Sequence, residues 1–238
     1  YKEEKNIIYA VGGDGTLSEV LNGVIGTKNK LGIIPAGSGN DFYRTIKELG
    51  KKEIKTDVGV INGKYFLNIA CVGIDAEVAN NVPLMKKKNI KVKNLYTASI
   101  LYTFTHFKFK EIFFKSKEIE DRNSFTILSI CNGRYYGGGY NIAPGASLED
   151  GTFEVYYTNK QKMLTIINLL LKLKKGKLEQ DKRTNHFKTN NITVTSEEPI
   201  RFNVDGETIE NTKFEIKIIP KAIKIYHNAE LESKFLSV

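Results

Sequence analysis

Ile7-Ile8-Tyr9-Ala10-Val11-Gly12-Gly13-Asp14-Gly15-Thr16-Leu17-Ser18-Glu19 is the stretch that decides how this chain folds. Residues 7–11 have the apolar, β-branched composition of a buried strand. The run breaks at two glycines, where the backbone turns sharply and a ligand can approach the main chain. Leu17, Val20, Leu21, Val24 and Ile25 then follow at helical spacing. Thr16 and Glu19 have capping-box spacing, which makes Thr16 the expected N-cap. Strand, glycine turn and helix N-terminus together form an anion site, because free N–H groups and the positive helix end face one spot. Asp14 sits inside that turn. A carboxylate there repels phosphate unless a divalent cation bridges the two or a donor network holds the acid back. A Walker A loop would need Lys followed by Ser/Thr, and a dinucleotide fingerprint would need glycine where Ser18 stands. A tight strand-to-helix turn without a ligand stays open on pattern alone.

The same grammar repeats. Leu31-Gly32-Ile33-Ile34-Pro35 reads as a second strand, followed by Ala36-Gly37-Ser38-Gly39-Asn40-Asp41 and a helical pattern to about Leu49. Two parallel strands joined by a crossover put both glycine turns at the carboxyl edge of the sheet, where open α/β sheets bind ligands. Ser38 and Asn40 are candidate donors to phosphate or ribose. Asp41 is either a second acid at the site or the N-cap of the following helix.

Beyond about residue 55 the pattern changes. Residues 57–79 alternate like strands, with a hairpin turn at Asn62-Gly63. Residues 80–93 are polar and basic, and the basic run 86–93 reads as a solvated loop, with a membrane-facing patch as the alternative. Helical spacing returns over Leu95–Phe107 and Met163–Lys174, and strands are expected at about 109–117, 124–132, 152–158, 187–195, 199–205 and 212–227. The apolar run 164–171 invites a membrane reading too, but it is short, is interrupted by Asn168 and ends in lysines, so it reads as a core-facing helix. The expected architecture is an α/β nucleotide-binding domain with a parallel sheet, incomplete at its start, over residues 1–55. A β-rich, mostly antiparallel domain follows over 56–238, with the C-terminal tail free to return to the first domain.

Composition narrows the function classes. The 238 residues carry a net charge of +9, which favours anionic partners such as nucleotides or lipid headgroups. The lysines are not interleaved with aromatics on a platform, so nucleic acid is not expected as a partner. Cys71 and Cys131 lie in apolar segments without metal spacing, and three histidines in unrelated contexts make a histidine-based centre improbable. No stretch of 18 apolar residues or signal-peptide architecture is visible.

Two later constellations carry acids. Asn141-Ile142-Ala143-Pro144-Gly145-Ala146-Ser147-Leu148-Glu149-Asp150-Gly151 is a turn-rich loop whose carbonyls and one Asp suit Mg²⁺ or Ca²⁺, though an Asp-Gly turn explains the pattern equally. In Asp205-Gly206-Glu207 the two acids stand two apart around a glycine. That spacing suits general-base work, and it also suits a simple hairpin turn.

Taken together, Gly12-Gly13-Asp14-Gly15-Thr16 with Glu19 and Asn22-Gly23, Pro35 to Phe42, Asn141 to Pro144, Asp150-Gly151 and Asp205-Gly206-Glu207 resemble the bacterial diacylglycerol kinase and lipid kinase family along essentially the whole chain. The resemblance implies an ATP site around Gly12 and Gly13, Asp14, Gly15, Thr16, Leu17, Ser18 and Glu19, with Ser38, Asn40 and Asp41 from the second turn. It implies Asp205 as the base that deprotonates a lipid hydroxyl, with Glu207 assisting. A structural Mg²⁺ is implied near Asp150, with main-chain oxygens of Ser147 and Thr152. Asp14, Asp41 and Asp57 would form an acidic network. The implied partners are a lipid alcohol such as diacylglycerol, an anionic membrane surface and a second copy in a homodimer, at the cytoplasmic face of the membrane. Family members begin with a further strand and glycine-containing loop, so the chain reads as N-terminally trimmed, and Ser38 stands where many relatives carry Thr. NAD kinases share the Gly-Gly-Asp-Gly-Thr element and are the enzymatic alternative. A non-catalytic nucleotide- or lipid-binding module is the alternative from another class.

Overall fold

A computed structural model describes residues 5–88 and 95–236. Strand β1 (Ile7–Gly12) leads into helix α1 (Asp14–Val24), and β2 (Lys30–Pro35) into α2 (Asp41–Leu49). β1 and β2 pair in parallel along their whole length, Ile7 opposite Lys30 and Gly12 opposite Pro35. Leu17, Leu21 and Val24 on α1 and Phe42, Tyr43 and Ile46 on α2 pack with Ala10, Leu31 and Ile33 in one core, as their periodicity requires.

The next strands are β3 (Glu53–Ile61), β4 (Lys64–Phe66) and β5 (Ile69–Gly73). Asn62 and Gly63 take positive φ at the β3–β4 turn, as an Asn-Gly hairpin demands. The strand alternation expected to run to residue 79 ends earlier: helix α3 spans Ile74–Lys87. Gly73, at φ 127, breaks the strand, and Asp75 and Glu77 in the first turn favour the helix N-terminus. Lys86 and Lys87 therefore belong to a helix rather than a loop. Residues 89–94 of the basic run lie outside the described residues.

Helix α4 (Leu95–His106) precedes β6 (Glu111–Ser116), β7 (Glu120–Cys131), a small ribbon of β8 (Tyr135–Tyr136) and β9 (Tyr140–Asn141), β10 (Phe153–Asn159) and α5 (Met163–Lys174). The chain ends in β11 (Thr184–Thr189), β12 (Asn191–Val204), β13 (Glu207–Tyr226) and α6 (Ala229–Leu236). A turn at Asn190 divides the expected strand 187–195 between β11 and β12. β12 runs unbroken through 199, with an irregularity between Thr195 and Ile200.

Among the described residues parallel pairing is confined to β1–β2 and β2–β13; the other strand pairs are antiparallel. All strands except the β8–β9 ribbon join one 11-stranded sheet. β12 pairs β5, β5 pairs β7, β7 pairs β6 and β6 pairs β12, a ring of pairings around an aromatic core that includes Phe66, Phe114, Phe125, Phe153, Phe202 and Phe214. The longest strand, β13, threads two cores. Phe214, Ile216 and Ile218 enter the aromatic core, while Ile223 and Ile225, beyond an irregularity after Ile219, enter the core of α1 and α2. The irregularity turns the inward face of the strand over, as bulges do. Cys71 and Cys131 are both buried and free, in a third core beneath α5.

Candidate functional site

Where β1 and β2 end, the two glycine turns touch. A Cβ on Gly37 would lie 2.3 Å from the Gly13 Cα, so backbone meets backbone there and neither turn has room for a side chain at the contact. Helix α1 starts at Asp14, two residues before the expected cap at Thr16, with extended Gly13 as its N-cap and no side-chain cap. Its first internal bond runs from Leu17 N–H to Gly13 C=O at 3.1 Å. The N–H groups of Asp14, Gly15 and Thr16 are thus outside the helix ladder, the state an anion site requires. Leu17 and Ser18 are buried, Gly15 and Glu19 are exposed, and Ser38 stands exposed on the second turn.

Asp14 does not point freely at that site. Its carboxylate accepts from Asp41 N–H at 3.0 Å and Phe42 N–H at 3.1 Å, so the first residue of α1 caps α2. The residue before α2, Asn40, has left-handed geometry and makes no cap with its side chain. It closes its own turn instead, accepting from Gly37 N–H at 3.1 Å and donating to Gly37 C=O at 2.7 Å. Asp41 is accordingly the first helical residue rather than the N-cap. One of its carboxylate oxygens accepts from Gly138 N–H at 2.8 Å, while Oδ1 is buried without a hydrogen-bond partner. Burial pushes the Asp41 carboxyl up to about 6, opposed by the Gly138 N–H and reinforced by the charge of Asp14.

Asp205 stands at the β12–β13 turn, within electrostatic reach of Asp14. It holds a left-handed conformation, φ 47, and its carboxylate accepts from Leu67 N–H at 2.7 Å, Asn68 N–H at 3.1 Å and Ile69 N–H at 2.9 Å. Three donors would lower an acid, yet burial outweighs them and, with the charge of Asp14, pushes Asp205 up to about 7. Asp14 thus acts on both Asp41 and Asp205, and the three acids form one electrostatic unit. Glu207 stands apart from it in an ion pair with Lys64.

Asp57 lies elsewhere. Its buried carboxylate accepts from Gly151 N–H and Lys221 N–H, each at 2.7 Å, and so ties the 147–152 loop to β3 and β13. In that loop Asp150 accepts from Thr152 N–H at 3.1 Å and faces the Lys188 ammonium at 3.4 Å, while the Ser147 hydroxyl accepts from Glu149 N–H at 3.3 Å. The loop offers hard oxygen donors of the kind Mg²⁺ takes, with two carboxylates: Glu149 pairs with Lys51, and Asp150 shares the Lys188 ammonium with Glu154, which lies closer to it at 2.8 Å. At the acid cluster Asp41 Oδ1, buried without a hydrogen-bond donor and with the Arg44 guanidinium 3.8 Å away, lies beside Asp14 and offers a hard oxygen to a divalent cation. Among the described residues no group of three His, Cys, Asp or Glu side chains is arranged to ligate a metal.

Several contributors carry no side-chain signal in the sequence. The N–H groups of Leu67, Asn68 and Ile69 are backbone donors. Gly137, Gly138 and Gly139, all at positive φ, form a run that needed no side chain to reach Asp41. Arg44 donates to Gly39 C=O at 3.3 Å and approaches Asp41 to 3.8 Å. It also lines a 410 Å³ depression with Lys47, Glu48 and Tyr135. The glycine run was the one available signal.

Residues 1–72 match the model of the diacylglycerol kinase catalytic domain, and residues 68–227 match that of the YegS C-terminal NAD kinase beta sandwich-like domain. The chain belongs to the diacylglycerol kinase and lipid kinase family. It is 29% identical over 219 residues to the diacylglycerol kinase of Bacillus subtilis, covering 86% of this chain and 72% of that protein. It is 30% identical over 242 residues to a Staphylococcus epidermidis protein named "Putative lipid kinase", covering 94% of this chain and 78% of that protein. Among solved structures, one titled "a putative diacylglycerol kinase" from Bacillus anthracis superposes with a TM-score of 0.73 at 23% identity, over 94% of this chain and 77% of that one. That likeness concerns the fold. Membership of the family implies a kinase with a nucleotide co-substrate and a lipid acceptor.

Proposed function

We propose that this protein transfers the γ-phosphoryl group of ATP to the hydroxyl of a lipid alcohol such as diacylglycerol, in a Mg²⁺-dependent reaction. Asp205 carries the reading: held by the N–H groups of Leu67, Asn68 and Ile69 and within reach of the Asp14 charge, its carboxyl is pushed up to about 7 and is poised to take a proton near neutral pH.

In this mechanism the nucleotide phosphates lie along the turn Gly12 to Glu19, against the N–H groups of Asp14, Gly15 and Thr16, with Ser38 and the second turn opposite. Asn40 and Asp41 hold that second turn and its acid in place. Mg²⁺ bound with the nucleotide would be held at Asp41 and Asp14, where it would neutralise phosphate charge; a structural Mg²⁺ would be held at Asp150 with main-chain oxygens of Ser147 and Thr152. Asp205 accepts the proton of the lipid hydroxyl as its oxygen bonds to the γ-phosphorus. The bond from that phosphorus to the ADP oxygen breaks in line, and ADP leaves with its electron pair. Glu207, two residues from Asp205 and ion-paired with Lys64, assists from outside the acid cluster by holding the turn that carries the base. Residues 1–55 supply the nucleotide side of the cleft and residues 56–238 the lipid side, at an anionic membrane surface.

The test is transfer of labelled γ-phosphate from ATP with Mg²⁺ to a panel of lipid alcohols in mixed micelles, with NAD as a second acceptor. Labelled lipid supports the reading. Labelled NADP with no labelled lipid would replace it by an NAD kinase, and nucleotide binding without any product by a non-catalytic module.

A further inference from the structure

Helix α5 has two apolar faces where a surface helix needs one. Ile166, Leu169 and Leu173 are buried. On the other side Met163, Leu164, Ile167 and Leu171 are 41%, 83%, 42% and 57% exposed. On a helical wheel these four fall within about 100° of one another, an uninterrupted outer stripe. The run expected to face the core therefore does so with half of its apolar residues only. Leu101 on α4 adds a further exposed leucine, 64% exposed, beside Ile100, which packs in the same small cluster as Ile166. No helix among the described residues is long and apolar enough to cross a membrane, so this stripe is a surface feature.

The charges around it select the partner. From Lys160 to Lys177 the sequence has six lysines and no acid. Lys160, Lys162, Lys174, Lys175 and Lys177 are exposed at the two ends of the stripe, while Lys172 is engaged with Asp181. An apolar ridge between clusters of lysine suits a partner that is apolar beneath and anionic at its surface, which is a bilayer containing acidic lipids. An acidic protein groove would match the lysines but would leave the 83% exposed Leu164 without purpose.

We propose that the outer face of α5 docks this protein on anionic lipid bilayers, with Leu164, Ile167 and Leu171 entering the acyl boundary and the flanking lysines contacting headgroups. The proposal rests on the lipid-kinase reading for its purpose, since it names the face through which that site would meet its substrate; the docking itself requires no nucleotide.

The chain contains no tryptophan, so Leu164→Trp places a single indole reporter on the stripe. Without nucleotide, vesicles containing phosphatidylglycerol should shift its emission to the blue, phosphatidylcholine vesicles should not, and added salt should weaken the effect. The exposed triple variant Leu164→Glu, Ile167→Glu, Leu171→Glu should bind the acidic vesicles at least about tenfold more weakly. It should retain wild-type thermal stability and wild-type transfer to a dispersed short-chain lipid alcohol. Unchanged emission on acidic vesicles would overturn the docking, as would a blue shift that appears without lipid and grows with protein concentration, the sign of a second copy on this face. Vesicle binding by a chain that phosphorylates no lipid would sustain the docking and remove the kinase reading. Transfer to the short-chain alcohol by a chain that ignores vesicles would do the reverse.

Discussion

Asp205 is an acid held at odds with its own hydrogen bonds. Three backbone N–H groups favour its charged form, while burial and the nearby Asp14 favour the neutral one and win. The rate should therefore fall below about pH 7, approaching tenfold per unit as the base is protonated. A pH profile of kcat/KM with ATP and lipid alcohol checks this. Asp14→Asn removes a charge that raises Asp205 and leaves a carbonyl oxygen to cap α2, so its profile should shift to lower pH; an unmoved midpoint would separate the two acids. Stability runs the other way. Asp205 and Asp41, at about 7 and about 6, hold protons in the folded state that the unfolded chain releases near pH 4. Their contribution is complete below about pH 4 and is lost as the pH rises through 6 to 7, a trend that thermal unfolding across that range reads directly. Motif spacing in the sequence singled out Asp14, Asp41 and Asp205. It did not show that Asp14 caps α2, nor the triple N–H cradle, because backbone donors leave no mark on side-chain pattern.

The element that matters most is the pair of touching glycine turns. Gly37→Ala would put a methyl 2.3 Å from Gly13 Cα, backbone against backbone, and should cost about 1–3 kcal/mol of stability and most of the nucleotide affinity. Gly15→Ala meets nothing within 4 Å and lies in a helix, so it should stabilise the fold by up to about 1 kcal/mol. Calorimetry on the two variants, with a nucleotide titration on each, distinguishes a packed glycine from a permissive one. β1, β2 and the bounds of α5, Met163–Lys174, were legible because their periodicity is long and their borders are marked. α3 was hidden by short apolar pairs that alternate equally well as a strand, with only Gly73 and the acids Asp75 and Glu77 to say otherwise. The outer stripe of α5 was half read, a membrane face standing as the alternative to a core face: apolar residues all round a helix signal burial, and only coordinates show which of them is covered.

At the scale of the whole molecule, β13 joins what the sequence presents as two regions. It carries Phe214 and Ile216 in one core and Ile223 and Ile225 in another, and Asp57 ties its bend to β3 and the 147–152 loop. Such a return was readable only as a possibility, since pairing across more than 150 residues is set by three-dimensional closure and not by local pattern. Asp57→Ala leaves the Gly151 and Lys221 N–H groups without their acceptor and should cost about 1–3 kcal/mol. In urea its midpoint should fall with an unchanged slope, in a single transition common to both cores; two separate transitions would show that β13 does not couple them. The change of grammar near residue 55 and the four ordered motifs were enough to name the family, while the chemistry still rests on one side chain. The most direct measurement is transfer of labelled γ-phosphate from ATP to diacylglycerol by the wild type and by Asp205→Asn, with nucleotide affinity and melting temperature measured on both. The wild type should give labelled lipid and the variant at least about 100-fold less, with affinity and fold retained. Equal turnover by the two proteins would rule out Asp205 as the base.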